Sequence, residues 1–208
     1  MTNRFLPNSS TATNTGTDGL PLFSAPHKRI VVVGATGCGK STLAEKLAQI
    51  LYVPFIELDA LYWKPGWVDS SPDEFRVKVE NATSSPAWVL AGNYGVVRDI
   101  VWSRADTIIW LDYPFFLVLR RLMTRIYTRW RSKELLWGTN YEPFWIHFKL
   151  WSKESLINWL FQTYWKRKRT YPQFLSLPEF SHLVLLRFSK PSEADKWLSN
   201  LGCISSGY

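Results

Sequence analysis

Residues 29–51 read "RIVVVGATGCGKSTLAEKLAQIL" and constrain the fold more than any other stretch of the chain. The run at 29–33 is continuously apolar, the pattern of a strand buried on both faces. Leu43, Leu47, Ile50 and Leu51 share one face at helical spacing, which predicts a helix over 41–51. Between them, Gly34, Ala35, Thr36, Gly37, Cys38, Gly39, Lys40 and Ser41 fit G-x-x-x-x-G-K-[ST], with Thr42 next in line. A polyphosphate needs several donors converging on a small volume. Backbone N–H groups supply them if the loop curls back, and glycines permit the curl. The helix start behind the loop adds a dipole that favours negative charge. Lys40 is placed to reach β and γ phosphates, and the Ser41 hydroxyl to meet Mg²⁺. Cys38 is read as a small filler within the loop.

The remaining pattern extends that unit. Apolar runs predict strands at 53–58, 87–91, 107–112 and 182–188. Helical signals fall at 72–84, 96–104, 114–131, 144–168 and 193–201, with 132–143 irregular. Strands alternating with helices imply an α/β fold of three layers around a five-stranded parallel sheet. At 208 residues and 46% hydrophobic content the chain suits one domain over 28–202. Residues 1–27 are rich in Ser, Thr, Asn, Gly and Pro and are expected to be a flexible tail, as are 203–208. Two cysteines, Cys38 and Cys203, make no disulfide framework, so a reducing, cytoplasmic setting is expected. No apolar run nears the roughly 20 residues a membrane-spanning helix needs.

Charge is distributed unevenly. Arg120 to Arg169 holds 12 Lys or Arg against three acids, while the rest of the chain holds 13 bases and 14 acids. One segment, approximately 120–170, therefore carries the excess charge and attracts polyanions. Arg121 and Arg125 share a helix face at i, i+4, and Arg120 points elsewhere. Aromatic residues load the same segment: Trp145, Phe148, Trp151, Trp159 and Trp165. Phe144, Phe148 and Trp151 share one face, and Ile157, Leu160, Phe161 and Tyr164 another. Packing on the core, nucleic-acid contact and a membrane-surface helix are all compatible with such a pattern, the membrane being the least favoured.

On the side opposite the loop, Asp59 closes the second predicted strand, at the sheet edge where ligands of α/β folds sit. A carboxylate there can orient an acceptor hydroxyl or accept its proton. Tyr62, Trp63, Pro65 and Trp67 follow, suited either to a ring-bearing acceptor or to hydrophobic packing. Gly92, Asn93 and Tyr94 read as an acceptor-contact loop, and Arg98 lies within reach of an acceptor phosphate or carboxylate. Asp112 is read as structural.

The loop, together with "LDALYWKPGW" (58–67), "WVLAGNY" (88–94), "ADTIIWLDYP" (105–114) and the basic segment after it, resembles the small P-loop nucleoside and nucleotide kinases. These are the adenylate kinase and shikimate kinase group, and within it the adenylate kinase-like "DNA topology modulation protein" family. The resemblance implies a helical, basic lid over the nucleotide, with Arg121 stacking on adenine and Arg125 meeting phosphates. Arg167 and Arg169 are the candidates for a second arginine set, and Ser189 to Ser192 for a loop bracketing adenine. Glu57 and Asp59 are similar to the acidic pair of shikimate-kinase-like enzymes, the first holding Mg²⁺ through water and the second orienting the acceptor. Ala91 departs from the pattern, because many relatives carry a metal-anchoring Asp there. The expected function is transfer of the γ-phosphoryl group of ATP, with Mg²⁺, to a small acceptor such as a nucleotide, nucleoside or other alcohol. The alternative is an ATP-dependent nucleic-acid-binding protein with weak or no kinase activity, or an ATPase. A monomer or homodimer is expected.

Overall fold

The computed structural model describes residues 28–142, 144–148 and 155–205. The tail expected at 1–27, residues 206–208 and Trp151 lie outside them. The chain runs β1 (Arg29–Gly34), α1 (Lys40–Leu51), β2 (Phe55–Glu57), α2 (Leu58–Tyr62), β3 (Trp63–Lys64), β4 (Val68–Asp69), α3 (Pro72–Ala82), β5 (Trp88–Ala91) and α4 (Arg98–Arg104). It continues through β6 (Thr107–Leu111), α5 (Phe115–Ser132), β7 (Leu135–Leu136), β8 (Asn140–Tyr141), α6 (Leu156–Leu175), β9 (Val184–Phe188) and α7 (Pro191–Ser205).

The main sheet has five parallel strands in the order β2-β5-β1-β6-β9, as the alternation of elements predicts. Period-two alternation sends successive residues to opposite faces. Ile30, Val32, Val89 and Ile109 enter one core cluster with the buried faces of α1, α5 and α7. Val31, Val33, Leu90 and Ile108 enter another with α3 and α4. β1 lies between β5 and β6, so the loop that leaves it emerges at the centre of the sheet's carboxyl edge.

Local chemistry sets the helix ends. Gly39, at φ 101°, leads into α1. Ser71 caps α3 by accepting from the Glu74 N–H, with Pro72 at the first helical position. α6 starts at Leu156 and not at 144, because Ser155 caps it by accepting from the Asn158 N–H at 3.2 Å. Residues 145–148 form a separate 3₁₀ turn. α6 carries Ile157, Leu160 and Tyr164 into the first cluster and Tyr171 into the second. It therefore crosses the sheet edge, and Arg167 lies at the crossing.

Three further expectations are corrected. Residues 132–143 hold the small hairpin β7–β8. Asp59 does not close a strand: β2 ends at Glu57, and Asp59 sits in the first turn of α2. α7 continues to Ser205, so residues 203–205 belong to a helix and not to a tail.

Candidate active site

The loop curls as its glycines require. Gly37 has φ 79°, and a Cβ there would lie 2.8 Å from the Leu122 Cβ of α5. The side chain of Asn93 clasps the start of the loop. Its Oδ1 accepts from Gly34 N–H at 3.2 Å, and its Nδ2 donates to Gly34 O. Lys40 folds back over the loop and donates from Nζ to Ala35 O at 3.0 Å. Burial pushes its amine below the usual lysine range; Arg167 and Arg125 add to this, while Cys38 and Asp59 oppose it.

Ser41 Oγ donates to Glu57 Oε1 at 2.6 Å. Glu57 lies opposite Ala91 in the β2–β5 register. Its carboxylate thus lies beside the loop, on the strand next to Ala91. The other oxygen, Oε2, accepts from Trp137 Nε1 at 3.0 Å, so a residue of the distant β7–β8 turn completes its contacts. Among the described residues no three His, Cys, Asp or Glu side chains form a metal-binding group. A hydroxyl beside one carboxylate is nevertheless the pair of hard oxygen donors that Mg²⁺ takes when phosphates and water supply the rest.

Asp59 Oδ1 accepts from Tyr94 OH at 2.7 Å. Burial, and then the negative charge of Asp59, hold the Tyr94 phenol well above its usual range, so it remains a donor. Tyr94 also packs on Tyr62, with ring centroids 4.8 Å apart, and Trp63 meets Trp67 edge-on at 5.4 Å. The two small hairpins are stitched together. Trp67 N–H donates to Asn140 Oδ1 at 3.0 Å, Trp67 Nε1 to Tyr141 O at 2.8 Å, and Asn140 Nδ2 to Lys64 O at 3.2 Å.

From α5, Arg121 donates to Cys38 O at 3.1 Å. Arg125 lies one turn further, with its Nη2 4.0 Å from Glu142 Oε1. Arg129 meets the other Glu142 oxygen at 3.1 Å, and His147 Nε2 stands 3.3 Å from Oε1. The Glu142 side chain is 2% exposed. Burial alone would raise its pKa, but His147, Arg125 and Arg129 outweigh that and hold it at about 2. From α6, Arg167 Nη1 lies 3.4 Å from Gly34 O. Arg120 and Arg169 are exposed.

The candidates therefore separate. Lys40, Ser41, Glu57, Arg121, Arg125, Arg167 and Asn93 come together around the loop, with Asp59, Tyr94 and Trp63 alongside. Arg98 lies beside the Gly92–Tyr94 loop: its guanidinium stacks 3.9 Å over the Phe174 ring and lines a small cleft with Gly92, Asn93, Tyr94 and Tyr171. Asp112 is buried and paired with Arg187 and Lys168, as its structural reading expects. The loop expected to bracket adenine is tied by Glu193, which accepts from Ser189 N–H at 2.8 Å and Lys190 N–H at 3.1 Å. Sequence reasoning missed Trp137, Asn140, Glu142 and His147. The only signal for Glu142 is that it is one of three acids in the basic segment.

Comparison with known proteins agrees with the loop. The family "ATPase family associated with various cellular activities (AAA)" matches residues 30–112. A shikimate kinase of Flavobacterium johnsoniae is 50% identical over 32 residues, 15% of this chain; the chain spans about a fifth (19%) of that relative's length. Similar solved structures include a shikimate kinase from Bacteroides thetaiotaomicron, with 17% identity, TM-score 0.49, and 86% of this chain and 98% of that chain covered. A gluconokinase from Sinorhizobium meliloti is also similar, with 18% identity, TM-score 0.47, and 86% and 94% covered. The phosphate loop, on the central strand of the parallel sheet, lies inside the segment that the ATPase family matches.

Proposed function

We propose that the protein transfers the γ-phosphoryl group of ATP to the hydroxyl of a small acceptor. The observation that carries this reading is a pair of carboxylates beside the loop: Glu57 on the Ser41 hydroxyl, and Asp59, held by Tyr94 and within electrostatic reach of Lys40. The loop amides and Lys40 hold the β and γ phosphates, and Arg121, Arg125 and Arg167 bring further positive charge to where charge spreads in the transition state. Ser41 and Glu57 are the residues to hold Mg²⁺, which when bound neutralises charge on the phosphate oxygens. Tyr94 occupies Asp59 Oδ1 and leaves Oδ2 for the acceptor hydroxyl. As the new O–P bond forms and the bond to the β-phosphate oxygen breaks, the hydroxyl proton passes to Asp59 and ADP leaves. The Trp63 and Trp67 rings beside this carboxylate favour an acceptor with a flat or ring-shaped body.

The nucleic-acid reading requires an outward basic surface. Arg120, Arg131, Lys133, Lys166 and Arg169 are exposed and contribute to one, whereas Arg121, Arg125, Arg129, Arg167 and Lys168 turn to the loop, to Glu142 or to Asp112. A screen of labelled ATP against nucleotides, nucleosides, sugars and other small alcohols tests the proposal. Label is expected in an acceptor, with Asp59→Asn slower by about 10² or more. Release of label only as inorganic phosphate, with every acceptor, contradicts it.

A further inference from the structure

Trp137 has an ordinary explanation, that of an aromatic side chain filling the space between two hairpins, and the geometry exceeds it. Its indole N–H is directed at a side-chain carboxylate and not at a backbone carbonyl. It meets Glu57 Oε2 at 3.0 Å, across 80 residues of sequence. The other oxygen of the same carboxylate takes the Ser41 hydroxyl at 2.6 Å. With one donor on each oxygen, the plane of the carboxylate is fixed relative to the loop.

The turn that carries Trp137 is itself held in place. Trp137 adopts φ 49°, an uncommon conformation for a bulky side chain, and Gly138 follows at φ 75°. Thr139 N–H closes the turn on Leu136 O at 3.0 Å. Buried Asn140 fastens it to the β3–β4 hairpin through Trp67 N–H and Lys64 O. Trp67 packs edge-on against Trp137, with ring centroids 5.8 Å apart. The indole therefore arrives at Glu57 on a braced support.

We propose that Trp137 is a positioning residue for a divalent cation at the phosphate loop, acting through Glu57. This rests on the nucleotide reading of the loop. It adds that the β7–β8 hairpin reports on the metal side of the site, not only on the acceptor side. Hydrogen bonds that orient a ligating carboxylate change metal affinity by about 10–100-fold when removed.

The test is ADP affinity measured by calorimetry on the full chain, once with Mg²⁺ and once with EDTA. The ratio of the two affinities isolates the metal's contribution without any turnover. Trp137→Phe keeps a ring and loses the N–H. It is expected to reduce the ratio about tenfold or more, toward that of Glu57→Gln, while leaving affinity in EDTA unchanged. Trp137→Gln carries an N–H the same number of bonds from Cα and is expected to recover part of the ratio. It also serves if the Phe variant folds poorly. Trp165→Phe, at an exposed site, should match wild type. A wild-type ratio in Trp137→Phe, or a ratio that follows the ring and not the N–H, overturns the proposal while leaving the nucleotide reading intact. No ADP heat in wild type under either condition overturns both.

Discussion

Replacing Glu142 by glutamine removes the buried negative charge shared by Arg125, Arg129 and His147 while preserving shape; Arg129 keeps its pairing with Glu134. The carboxyl titrates at about 2, against 4.5 for an unperturbed glutamate. The residue is almost wholly buried, so this difference converts with little screening to about 3 kcal/mol of folding stability near neutral pH. The sign follows from a depressed acid. The contribution is fully present above the unfolded value of 4.5 and is lost as pH falls toward 2. Urea unfolding of wild type and Glu142→Gln, followed across pH, is the assay. The variant is expected to lose about 3 kcal/mol at neutral pH, with the gap narrowing to about half near roughly pH 3. Equal stabilities within about 0.5 kcal/mol at neutral pH would refute the reasoning, because exposed pairs have that small value. Arg125 should also lose its anchor, so transfer in the variant should fall even where the protein is fully folded.

Two other substitutions probe the loop and the acceptor side. Gly37→Ala places a Cβ at a left-handed backbone position and 2.8 Å from Leu122. It is expected to cost about 1–2 kcal/mol from backbone conformation alone, seen as a lower Tm together with weaker Mg–ATP binding. Tyr94→Phe removes the donor to Asp59. Since hydrogen bonds to charged groups contribute about 1.5–3 kcal/mol, kcat/KM for the acceptor should fall roughly tenfold or more with Mg–ATP affinity unchanged. A loss confined to ATP affinity would place Tyr94 on the wrong side of the site.

The sheet was legible because its strands carry unambiguous signals. A strand buried on both faces reads as an uninterrupted apolar run, and β1, β5 and β6 are of that kind. The loop was legible because its residue types are dictated by the chemistry of holding phosphate. The segment after Arg131 was not. Its hairpin is two residues a side, too short for any periodicity, and it is held by side-chain contacts to β3–β4 that no local pattern announces. The start of α6 was misplaced for a related reason: aromatic residues at 144–151 continue a helical spacing, and the Ser155 cap that interrupts it is a single residue. Glu57 shows the middle case. Its proximity to Asp59 marks it in the sequence, but only the β2–β5 register sets it opposite Ala91 and only the fold brings Trp137 to its second oxygen.

Everything functional depends on the Gly34–Ser41 amides and Lys40 gripping a polyphosphate. Calorimetric titration of Mg–ATP into wild type and Lys40→Ala tests this most directly. One site per chain in wild type, lost or severely weakened in Lys40→Ala, is the predicted result. No heat in wild type with Mg–ATP, or the same affinity in both proteins, would contradict it.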